Sequence, residues 1–168
     1  MRKVIIICIM FLILLPVTQT KAKTKVPEPT FEETVEAMVR EHRIMLDRLI
    51  AAWEHRQEEI NLLAEVIYHE NWHTDKEHLA AYYTGAVVMN RVNSKAWPDT
   101  VKKVLYQKGQ YSTTKLFFTK EIPEECYEMA RDIYKNGTPD VPANVIFQAM
   151  RPLGKTWKKV NTDYFCFE

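Results

Sequence analysis

The 168-residue chain is predicted to fold as a helix-dominated α+β domain with a small β element, preceded by a long N-terminal helix. Three observations carry that prediction. Phe31 to Gln57 holds neither Gly nor Pro, and its apolar residues recur at steps of three and four, the spacing of one helical face. Leu79 to Val92 is apolar over most of its circumference, as a helix covered on all sides is. Near the end, Asn144–Met150 and Asp163–Phe167 are short β-like runs separated by Gly154 and polar residues.

The first 22 residues stand outside this scheme. A positive head, Met1-Arg2-Lys3, precedes the apolar run Val4–Val17, and Thr20-Lys21-Ala22 offers a small-x-small cleavage site. This is the pattern of a secretory signal peptide, too short for a stable membrane span of about 20 residues. An exported protein without a stable membrane anchor after cleavage is therefore expected. Cleavage would remove Arg2, Lys3 and Lys21 and no acid, leaving 20 basic against 22 acidic side chains. That balance argues against nucleic acid as a partner, because its binders carry a clear basic excess. Cys126 and Cys166 would remain in an oxidising compartment, where pairing is permitted but not required.

Residues 23–58 form a Lys/Pro/Thr-rich linker and the N-terminal helix, with Thr30 and Glu33 spaced as a capping box at its start. Its stripe runs Phe31, Val35, Met38, Met45, Leu49, Ala52, with His42 as a tolerated seam residue. Such a helix packs on the domain or associates with another copy, and its sequence leaves both open. Residues 59–168 form the compact module. Glu59–Glu70 is a short buried helix with Ile60, Leu63, Ala64 and Ile67 on one face. Val101–Leu105 is a helical turn, Tyr106–Thr114 is mostly extended, and Pro123 opens a helix stopped by Asn136-Gly137.

Chemistry concentrates at His69-Glu70-Asn71-Trp72-His73, the H-E-x-x-H pattern of a zinc protease. That pattern needs both imidazoles on one continuous helix and a third ligand. Thr74-Asp75-Lys76-Glu77 reads instead as a capping box that starts a new helix at Asp75, so the preceding helix ends near Glu70 or Asn71. His73 then falls in a connection, and no metal or other cofactor is expected. Glu70 remains, at a helix C-terminus between Tyr68 and Trp72. The helix dipole and aromatic desolvation both favour its protonated form there.

The segments LLAEVIYHENW, AAYYTGAVVMNRVNSKAWPDTVKKVLYQKGQYS, NVIFQA and DYFCFE together resemble the spore-cortex-lytic type of cell-wall hydrolase, across Ile60 to Glu168. The most specific block is Asn90-Arg91-Val92, then Trp97-Pro98-Asp99-Thr100, then Gln107 to Ser112. The resemblance implies a lysozyme-like fold, peptidoglycan glycan strands as substrate, and a single catalytic glutamate, matched here by Glu70. It implies cleavage of the bond between N-acetylmuramic acid and N-acetylglucosamine. The expected route is lytic transglycosylation, with a hydrolysing muramidase or a zinc metallopeptidase using His69, Glu70 and His73 as alternatives. Gln110 and Tyr111 match the family's Gln-aromatic pair and Tyr164 and Phe165 its terminal pair. Phe165 is expected in the core, Asn90 on substrate or anchoring a loop, and Gln148 is a weaker candidate. Family members often carry a small Gly-containing stretch after the glutamate, where this chain has Asn71-Trp72-His73.

Overall fold

A computed structural model describes residues 28–168, so the signal-peptide expectation for residues 1–22 lies outside the described residues. Helix α1 (Phe31–Asn71) begins at the predicted box: Thr30 N donates to Glu33 Oε2 at 2.7 Å and Glu33 N to Thr30 Oγ1 at 3.3 Å. It then runs without interruption through the point where the sequence suggested two helices. No breaker stands between Gln57 and Glu59, and the capping signals that end helices are missing there. By packing, the described residues divide into two units, one ending at Ile44 and the other running from Met45 to Glu168. In the first, residues 28–44 are exposed throughout. No helix among the described residues is long and apolar enough to cross a membrane.

The second unit holds the core and the cleft. Helix α2 (Leu79–Asn93) is the central element, as its all-round apolarity predicted. One face packs on Leu63 and Ile67 of α1, on Val104 of α3 (Val101–Leu105) and on Ile133 of α4 (Glu124–Asn136). Its other face, through Ala80, Tyr83 and Val87, covers Val145 and Phe165 of the sheet. Gly85 lets the helices close: a Cβ there would lie 2.7 Å from Ile133 Cδ1 and 3.1 Å from Ile67 Cδ1.

The start of α2 differs from expectation. It begins at Leu79 and not at Asp75, because His78 takes a left-handed conformation (φ 53°) just before it. The cap is the Asp75 carboxylate, which accepts from Leu79 N at 2.7 Å and Ala80 N at 3.0 Å. An anionic side chain serves orphan helix donors better than the Thr74 hydroxyl would. The consequence drawn for the preceding helix still holds, since α1 stops at Asn71.

Three antiparallel strands complete the unit: β1 (Val145–Ala149), β2 (Thr156–Val160) and β3 (Asp163–Phe167), in the order β1-β3-β2. The sequence showed β1 and β3 but not β2. Ser112–Leu116 form a 3-10 turn, so the run expected extended over Tyr106–Thr114 ends in a turn. Cys126 and Cys166 are both buried and both free thiols.

Candidate active site

Glu70 sits in the last turn of α1, where the helix emerges from the core. Its carboxyl is half-buried in the wall of a cleft of about 320 Å³. Arg91 from α2, Gly109, Gln110 and Tyr111 from the loop after α3, and Phe147 and Gln148 from β1 face it there. Burial raises the Glu70 pKa above the usual carboxylate range, and the negative charge of Asp163 adds to the rise. A hydrogen bond from Thr113 Oγ1 to Glu70 Oε1, 2.5 Å long, opposes it by favouring the anion, as does the nearby His69.

The opposite wall hangs on Arg91, which is buried although charged. Its Nε donates to Ile146 O at 2.7 Å, tying α2 to β1, and its guanidinium lies 4.3 Å from the Trp97 ring centre. A further bond to the Tyr111 hydroxyl at 3.5 Å holds the loop after α3 against the cleft. Burial pushes the Tyr111 phenol up to about 12, which favours its neutral form. Thus N-R-V, aromatic-Pro and Q-Y-S converge because one guanidinium joins them.

Behind Glu70, the buried Asn71 side chain links four elements. Its nitrogen lies within donating reach of Glu70 O (3.1 Å), Thr74 Oγ1 (2.8 Å) and Asp163 Oδ2 (3.2 Å), sharing two hydrogens among them, and its oxygen accepts from Gln148 Nε2 (2.7 Å) beside Thr84 Oγ1 (2.9 Å). The reverse orientation would aim the oxygen at acceptors only. The Asn71 side chain therefore fixes the end of α1 to both α2 and the sheet.

A model of the cell-wall hydrolase family matches residues 76–165, more than half of the chain. The chain belongs to the cell-wall hydrolase family. It is accordingly an enzyme acting on peptidoglycan. The matched stretch carries Arg91, Gln110, Tyr111, Gln148 and Asp163 and begins after Glu70. No curated protein and no solved structure matches the chain.

In this cell-wall hydrolase, Glu70, Gln110 and Tyr111 come together as the sequence grouped them, and the weak candidate Gln148 joins them. Two others do not line the cleft themselves. The Asn90 amide donates to Pro142 O and Val145 O, both at 3.0 Å, so its donors anchor the loop before β1 and do not line the cleft. Tyr164, half-buried on β3 opposite the cleft-lining Ala149, lies under Lys159 Nζ at 4.8 Å and is not itself among the lining residues. Phe165 is fully buried in the core. Arg91, Thr113, Asn71 and Asp163 were not singled out. For Arg91 the signal was present, a charge on an otherwise apolar helix.

The H-E-x-x-H histidines diverge. His69 turns inward, stacked on Phe117 at 5.9 Å, with Nε2 3.2 Å from Glu65 Oε2. That approach lacks hydrogen-bonding geometry, and neither atom has another hydrogen-bond partner. His73 is exposed. Among the described residues, no three His, Cys, Asp or Glu side chains are placed to share a metal ion.

Proposed function

We propose that this enzyme cleaves the glycosidic bond between N-acetylmuramic acid and N-acetylglucosamine, as a lytic transglycosylase working through Glu70 alone, with neither metal nor cofactor. Its substrate is the glycan strand. It reaches the cell envelope through cleavage of the leader at residues 1–22. The observation that carries this reading is a carboxyl group in a polar cleft whose pKa is raised because burial disfavours the anion.

A general acid must hold a proton and then release it to the leaving oxygen. Glu70 protonates the glycosidic oxygen departing from C1 of N-acetylmuramic acid. Positive charge develops at C1, and the C6 hydroxyl of the same sugar attacks it. The C6 proton passes to the Glu70 carboxylate, which restores the acid and leaves a 1,6-anhydro ring without consuming water. The bond from Thr113 steadies the anion between the two steps and leaves Oε2 free to exchange the proton. Holding nucleophile and reacting centre on one ring supplies the proximity that a bound water would lack. Gln110, Gln148 and the Tyr111 and Phe147 rings suit a ligand bearing acetamido groups and flat sugar faces.

One observation favours hydrolysis to a free reducing end as a second reading. Asp163 is a carboxylate near enough for its charge to act on Glu70, and hydrolysing glycosidases use two. Weighing the fragments of digested peptidoglycan separates the readings. Anhydro ends, lighter than reducing ends by one water, support transglycosylation, and reducing ends alone support the muramidase. Released peptides with intact strands, abolished by a chelator, would instead establish the metallopeptidase.

A further inference from the structure

Along α1 an apolar stripe lies open that the catalytic account does not use. Val35, Met38, Val39, Met45, Leu46 and Leu49 are each between 40 % and 59 % exposed. A patch of this kind marks an interaction surface. Its period identifies the class of partner. Residues 31, 35, 38, 42, 45, 49 and 52 alternate steps of four and three over three heptads, the seam of a coiled coil. We propose that α1 binds the α1 of a second copy of this chain as an antiparallel coiled coil, centred between residues 43 and 44, with Glu41 of each copy against Arg48 of the other.

Charge and shape choose this arrangement over the parallel one. A parallel, in-register pair would set His42 on His42 and place Glu41 beside Leu46 and Arg48 beside Trp53, leaving both charges unmatched. Turning one helix round makes a self-complementary two-fold contact, in which residue i meets j and j meets i. The layers become Val35 on Ala52, Met38 on Leu49 and His42 on Met45, each occurring twice. On one flank Glu41 meets Arg48, and on the other Val39 meets Leu46. Among the described residues neither Glu41 nor Arg48 has an ion pair within the chain, so both are available. His42 fits the seam because its Nδ1 lies 2.8 Å from Met38 O, which folds the ring down onto its own helix and leaves room for Met45.

The test is sedimentation velocity of the full chain in a non-ionic detergent that keeps the apolar N-terminal run from associating by itself. The natural chain is expected at twice the monomer mass. Glu41→Arg and Arg48→Glu each replace two attractive pairs with two repulsive ones and weaken the dimer on the order of 30-fold. Both changes together restore the pairs and the dimer. Leu49→Glu places a charge in the seam and yields monomer. These positions are exposed, so each variant keeps its fold. A monomeric natural chain overturns the proposal, including one whose stripe instead binds anionic lipid vesicles. So does a dimer indifferent to the charge exchange.

Discussion

Glu59 is a buried carboxylate far from the cleft, and its removal gives a sharp forecast. It lies 3 % exposed on α1 and accepts from Val101 N at 2.7 Å and Lys102 N at 3.2 Å, the first donors of α3. Hydrogen bonds to a charged acceptor contribute about 1.5–3 kcal/mol each, a loss felt in full when the donor left behind is buried. Water can reach Lys102 N but not Val101 N, so the second bond is worth the lower figure. Glu59→Ala should therefore lower stability by about 3–5 kcal/mol. Glu59→Gln keeps one carbonyl oxygen for Val101 N but turns an amide donor towards Lys102 N, so roughly half that loss is expected. Urea unfolding of both variants checks the ordering. An alanine variant within about 1 kcal/mol of the natural protein, or a glutamine variant as weak as the alanine one, would refute the reasoning. Since α3 leads directly into the Gly109–Tyr111 wall, the folded fraction of Glu59→Ala should also release wall fragments more slowly.

Asp163→Asn removes a negative charge that raises the Glu70 pKa. Activity that needs protonated Glu70 falls as pH rises through that pKa, so the alkaline limb of the pH–rate profile should move to lower pH; an unmoved limb would show that Asp163 does not act on Glu70. Because burial raises the folded pKa of Glu70, the folded state binds its proton more tightly than the unfolded chain does. That contribution is fully present below the unfolded pKa and is lost as pH rises through the folded one. Glu70→Gln should accordingly show a higher urea midpoint than the natural protein at neutral pH, with the difference closing in acid. Arg91→Met forfeits the bond to Ile146 O, the Trp97 contact and the Tyr111 tie, and should cost about 2–4 kcal/mol by urea unfolding. Arg91→Lys should recover little, because an ammonium cannot serve the carbonyl, the ring and the phenol together.

Local rules made the helices legible. The Thr30–Glu33 box, the all-round apolarity of α2 and the Asn136-Gly137 stop depend on neighbours in sequence, and each appears where expected. Strand β2 was hidden for a comparable reason. Thr-Trp-Lys-Lys-Val places two lysines side by side, and a register irregularity between Thr156 and Lys158 breaks the simple alternation by which strands are recognised. The start of α2 was misplaced because Thr74-x-x-Glu77 is a genuine capping spacing, overridden by a left-handed His78 and a stronger anionic cap at Asp75. In the cleft, Glu70, Gln110 and Tyr111 were reachable through resemblance. Asn71 was not, since its partners come from residues 74, 84, 148 and 163, and only folding brings them to one amide.

The central claim is that one carboxyl group performs the cleavage, and the most direct measurement is release of soluble glycan from purified cell wall by Glu70→Gln. An amide of the same shape can still accept from Thr113 but has no proton to give. The account predicts a folded protein, at least as stable as the natural one at neutral pH, whose rate falls by about 10²–10⁴-fold or more. A folded Glu70→Gln variant that digests the wall at the natural rate would contradict it.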